Sequence, residues 1–248
     1  MSPIWRKNVP FLAAALSLGA LALCPPASAA SGPVAVNLAV AQNAQSGSSV
    51  SQHAWKVVRT SGPVLVARNA AVVSATGSST STVAVAFEIV TAGHTDQILA
   101  DNRASTDEVR CLACQAAAVA MQWIVVSNAE VRLTPAGQAA LAQIDRALNS
   151  LLRSGVSPAQ VDAACGPLED DVNTVLAHDV VAVPGASGSG SGQVRAALDR
   201  RPRALPPVPG PTASTTAGLV LPENGYTIYR YAQSSFSSGA GTSSVVAS

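Results

Sequence analysis

The chain has two kinds of hydrophobic pattern, and they change over near residue 134. Before that point apolar side chains alternate with small or polar ones. Val83, Val85, Phe87 and Ile89 fall on one side of an extended chain, with Ala84, Ala86 and Glu88 on the other. A period of two predicts a strand whose large face packs on a core and whose small face lies against something close. Thr82–Val90 slid by 34 positions lands on Ala116–Ile124, large residue on large residue and alanine on alanine. Ala67-Arg68-Asn69-Ala70 echoes Ala100-Asp101-Asn102-Arg103 at almost the same offset. Two tandem copies are the economical explanation. Val64–Val73 and Ile98–Ser105 read as weaker strands, so each copy is expected to be a β-hairpin. The turns would lie at Ala75–Thr80 and Asp107–Cys114. A helix from Gln115 competes on propensity, but Ile124-Val125-Val126 favours a strand.

After residue 134 the period becomes helical. Thr134-Pro135 is an N-cap followed by proline in the first turn, Leu141, Ile144, Leu148, Leu151 and Leu152 share a face, and Gly155 supplies the stop. Ser157-Pro158 opens a second helix striped by Val161, Cys165, Leu168, Val172, Val175 and Leu176, which Gly166-Pro167 should kink or break. The expected fold class is therefore α+β: two β-hairpin repeats packed against a helical hairpin, between disordered N-terminal and C-terminal segments. The expected organisation is a signal peptide at 1–29, a flexible lead-in at 30–54 and a folded domain at 55–183. A Gly/Ser/Pro linker follows at 184–218, then a polar tail at 219–248 with one further strand candidate around Tyr226–Tyr231.

The leader is expected from Arg6-Lys7, the apolar run Phe11–Leu23 and the small residues Ala27-Ser28-Ala29. That run is too short to span a bilayer, and no later stretch is long and apolar enough to do so. The expected location is extracytoplasmic, secreted or in the cell envelope. Over the 248 residues, 15 basic and 14 acidic side chains nearly balance. That balance argues against nucleic acid as the main partner and leaves a protein or envelope component.

The most pointed chemical motif is Cys111-Leu112-Ala113-Cys114. In an exported chain a structural disulfide is the first expectation for such a pair. A redox pair would gain from a helix N-terminus that stabilises the thiolate. A zinc site would need two more ligands from Cys165, His53, His94 or His178, none at ligand spacing. Cys165, on an apolar stripe, reads as an inert core thiol, and Glu169-Asp170-Asp171 as a solvated helix face. No His-Glu-x-x-His or Gly-x-Ser-x-Gly occurs. No catalytic residue, metal ligand or cofactor site is assigned.

Asn102, Cys111, Cys114, Ala118, Ala120, Gln122 and the helix start Thr134-Pro135-Ala136-Gly137 follow one pattern. In it this stretch resembles a group of uncharacterised actinobacterial proteins whose repeats carry Cys-x-x-Cys and Ala-x-Ala-x-Gln. The first copy departs from the pattern, with Gly77 and Thr80 at the cysteine positions and Glu88 for Gln. Some members bear the name putative peptide zinc metalloprotease. This chain has no zinc-protease motif, so the resemblance implies kinship and no activity. The function expected is a non-enzymatic envelope or extracellular binding or scaffold protein. The alternative is a thiol–disulfide redox protein using Cys111 and Cys114, with a zinc-dependent peptidase third.

Overall fold

A computed structural model describes residues 32–184 and 225–238, together with the backbone path of 214–220. The expected signal peptide and most of the expected linker lie outside the described residues. The elements are β1 (Val34–Asn43), β2 (Ser49–Ser61), β3 (Val64–Ser78), β4 (Ser81–Gly93), β5 (Gln97–Leu112), β6 (Gln115–Ser127), β7 (Val131–Leu133), α1 (Pro135–Arg153), α2 (Pro158–His178), β8 (Val180–Ala182), β9 (Ser214–Val220) and β10 (Tyr226–Ser238).

The expected hairpins are not formed, and the fold class is corrected accordingly. From β1 to β6, consecutive strands do not pair with each other. One sheet has the order β1-β3-β5 and a second the order β2-β4-β6-β10-β9, with a small β7-β8 sheet apart. The pairs β1–β3, β3–β5, β2–β4 and β4–β6 are all parallel. Each repeat is thus an arch: a strand in one sheet, a turn, then a strand in the facing sheet, with the next repeat stacked on it. Each of β1 to β6 pairs with its counterpart one rung away, and the fold is mostly β: a short two-layer parallel stack of the solenoid type. The sequence offset between Glu88 and Gln122 is the register itself.

There are three rungs where two copies were expected. Residues 34–54, expected as a loose lead-in, form β1 and the start of β2. Their alanine, serine and glutamine content hid a strict alternation, since every second residue of β1 is buried. The final part of the expected linker, from Ser214, belongs to β9, and the tail strand candidate belongs to β10.

The faces explain the order of layers. Val83, Val85, Phe87, Ile89, Val119, Met121, Trp123 and Val125 form one core with Leu141, Ile144, Leu148, Val161, Val172 and Leu176 of the helices. The small faces meet between the sheets, where Ala84, Ala86, Ala118 and Ala120 pack on Ala39, Ala41, Ala71, Val73 and Ala104. β4 and β6 are therefore covered on both faces. Thr134 caps α1, accepting from the Gly137 N–H, and Ser157 and Gln160 form a capping box on α2. Of the kink or break expected at Gly166-Pro167, the break does not occur: α2 runs through Pro167 as one helix. Pro167 stands in the middle of the helix and its ring removes one N–H, while Val161 and Cys165 before it are packed in the core and further contacts hold the helix after it. Those contacts include Trp123 Nε1 donating to Asn173 Oδ1 at 2.8 Å, the Tyr226 hydroxyl donating to the Leu176 and Ala177 carbonyls, and an Arg230–Glu169 pair at 2.9 Å.

Candidate functional site

The closely packed alanine faces let a short side chain reach from one sheet to the backbone of the other. Asn37, Asn69 and Asn102 occupy equivalent positions on β1, β3 and β5. Asn37 Nδ2 donates to Asn69 Oδ1 at 2.9 Å, and Asn69 Nδ2 to Asn102 Oδ1 at 2.8 Å. Each amide also donates across the gap: Asn37 to the Ala54 and Phe87 carbonyls, Asn69 to Ala86 and Met121, Asn102 to Ala120 and Tyr231. Asn37 and Asn69 thus bind their own rung, the next rung and the next asparagine, at spacings of 32 and 33 residues, and the half-buried Asn102 binds its own rung and β10. Sequence reasoning noticed Asn69 and Asn102 only as a repeat marker. Asn37, at almost the same spacing, was the signal it left unread.

A second polar column runs along the inner face of the other sheet, with Lys56, Glu88 and Gln122 in register. Gln122 Nε2 donates to Glu88 Oε2 at 2.7 Å, and both residues are fully buried. Burial raises the Glu88 carboxyl above its ordinary pKa, against smaller opposing effects of the Gln122 amide and the Lys56 ammonium. Lys56, on the terminal rung, turns instead to the end of the stack, and its Nζ donates to the Val36 carbonyl at 2.7 Å.

The two ends of the stack differ. At one end β10 runs antiparallel to β6 and extends that sheet, while β5 has no described strand beyond it and meets β10 through side chains. The Tyr231 carbonyl receives Asn102, Gln233 Oε1 accepts the Ala104 N–H, and the Ser235 and Thr106 hydroxyls pair at 2.9 Å. At the other end β1 and β2 have no described strand beyond them. The Pro33 carbonyl accepts the Val66 N–H, so odd-numbered residues of β1 address β3. Val34, Val36, Leu38 and Val40 turn their backbone groups the other way, to the open edge. Their side chains are exposed on the outer face at 62, 47, 54 and 39%. A long apolar edge strand is a template for pairing.

The cysteines fall at the turn between β5 and β6. Cys111 and Cys114 are bonded, with Cys111 half-buried and Cys114 buried. Gly77 pairs with Cys111 one rung away, and Thr80 Oγ1 lies 3.7 Å from Cys111 Sγ. Each cysteine follows a residue at positive φ, Arg110 before Cys111 and Ala113 before Cys114, and the bridge closes a tight arch. No helix starts there, so no helix dipole acts on either sulfur. Cys165 is free and buried, and burial first, then the Asp162 and Glu169 carboxylates, push its pKa up to about 12. His53 pairs with Asp145 at 3.3 Å. Among the described residues no three His, Cys, Asp or Glu side chains gather where they could hold a metal. Glu169, read from sequence as solvated, is held by Arg230. Among the described residues no helix is long and apolar enough to cross a membrane. No protein-family model, curated protein or solved structure matches the chain.

Proposed function

We propose that the chain is a non-enzymatic binding or scaffold protein of the cell envelope or exterior, and that it binds through the open β1–β2 end of its stack. The observation that carries this reading is the conjunction on β1 of unpaired edge backbone with the apolar row Val34, Val36, Leu38 and Val40. A strand added there gains main-chain hydrogen bonds and buries that row, which is binding by β-augmentation. The Cys111–Cys114 bond and the leader-like N-terminus support an oxidising, extracytoplasmic setting.

A photo-crosslinking residue placed at Leu38 in the protein's own host should yield adducts, while the same residue at exposed Arg153, on α1, should not. Equal silence at both positions overturns the reading. A second reading, thiol–disulfide exchange at Cys111 and Cys114, draws on the exposed Leu112 beside Cys111. The buried Cys114 sulfur and the absence of a helix at this turn weigh against it.

A further inference from the structure

The asparagine ladder has a direction. Each Nδ2 meets backbone carbonyls, which can only accept, so none of the three amides can be turned over. All three side-chain carbonyls therefore point toward the β1 end. Asn69 Oδ1 and Asn102 Oδ1 receive the preceding asparagine. Asn37 Oδ1 receives no donor among the described residues. The donor end is closed by the Tyr231 carbonyl, so the stack presents an acceptor at its open end and no free donor at the other.

The surface changes character along the same direction. On the outer face, β1 carries Val34, Val36, Leu38 and Val40, whereas the register-equivalent row of β5 carries Leu99, Asp101, Arg103 and Ser105. Both β1 and β5 are edges without a described neighbour, and of the two it is β1 that carries the apolar row. Lys56 covers one acceptor of that edge through the Val36 carbonyl, the kind of charged guard that keeps an edge strand from indiscriminate pairing.

Resting on the binding role proposed above, we propose that this end receives the terminal rung of a different chain's parallel two-layer β-stack. That rung continues the register of β1 and β2 and displaces Lys56 from Val36. An asparagine amide on it donates to Asn37 Oδ1 and to the Trp55 carbonyl. Trp55 is the register equivalent of Phe87, whose carbonyl receives Asn37. A second copy of this chain does not fit. At its other end Asn102 already donates to the Ala120 and Tyr231 carbonyls, and two β1–β2 ends facing each other would set one Asn37 carbonyl against another.

The test uses a labelled synthetic peptide of residues 64–93, one rung of this chain bearing Asn69, titrated into the full exported chain and followed by fluorescence anisotropy. Saturable binding is expected. Asn69→Asp in the peptide replaces the donor by an acceptor of the same shape and should weaken binding roughly ten-fold or more. Val36→Pro in the protein removes an edge-facing N–H and should weaken it similarly. Leu38→Lys, at an exposed position, gives the same result should the proline variant fail to fold. No binding to the wild-type chain, or equal binding of the Asn69→Asp peptide, overturns the proposal. So does a chain that sediments alone as a dimer and becomes monomeric with Leu38→Lys. If the peptide fails while Leu38 still crosslinks in the host, only the identity of the occupant is wrong. If both fail, the edge is not a binding surface.

Discussion

Asn69 receives one ladder asparagine, donates to the next and spans both sheets, so replacing it strands several buried partners at once. Asn69→Leu should cost about 2–4 kcal/mol in urea unfolding. A loss below about 1 kcal/mol would show the ladder to be incidental. Glu88 makes a pH prediction. Because burial raises its pKa in the folded chain, the folded state holds this proton more tightly than the unfolded one. Its contribution to stability is complete below the unfolded value and is lost as pH rises through the raised one. Glu88→Gln should therefore be more stable than wild type above that window, and the difference should shrink on acidification. Comparing urea midpoints of the two proteins across pH isolates Glu88 from Asp162 and Glu169, whose pKa values are also raised. The thiols complete this scale. Cys165 should alkylate only after denaturation, and reducing Cys111–Cys114 should cost less than about 2 kcal/mol, since the loop it closes is very short. Rapid native alkylation of reduced Cys111, with ready exchange against a dithiol, would favour the redox reading.

Strands and helices are held by different means. β4 and β6 are strong because helices cover one face and a sheet covers the other. Phe87 stands at the junction, with ring centroids 5.3 Å from Trp55 and 5.5 Å from Trp123. Helix α1 depends on a close approach. A Cβ on Gly137 would lie 2.5 Å from the Asp179 Cβ, and Asp179 also holds the capping Thr134 hydroxyl. Gly137→Ala should lower the thermal midpoint and loosen the helical hairpin, whereas Gly166→Ala, which meets nothing, should not lower it. β1 should show alternation in hydrogen exchange. Amides of Ala35, Asn37, Ala39 and Ala41 should be protected by β3, while those of Val36, Leu38 and Val40 exchange quickly in the free protein. Uniform protection along β1 would mean that the edge is already occupied.

For the molecule as a whole, repetition sets both stability and shape, because each rung is supported chiefly by the rungs beside it. Exchange protection should therefore peak in β4 and β6 and decline toward the β1–β2 end. The sequence by itself determined the period of the repeat, since the 34-residue offset that aligns Val85 with Val119 and Phe87 with Met121 is the parallel register of β4 on β6. It also determined the helix starts, because Thr134-Pro135 and Ser157-Pro158 act through neighbours three residues away. Strand direction was not legible. A strand, a turn and a strand have the same local pattern whether they close as a hairpin or open as an arch between sheets, and only the contacts of the next rung choose. The first rung was hidden because its inward residues, Ala35, Asn37, Ala39 and Ala41, are too small or polar to advertise burial until a facing alanine layer makes small side chains the ones that fit. The ladder and its open end were decided by tertiary structure alone. The direction of an amide is set by carbonyls 17 to 129 residues away, and an edge exists only where a stack stops.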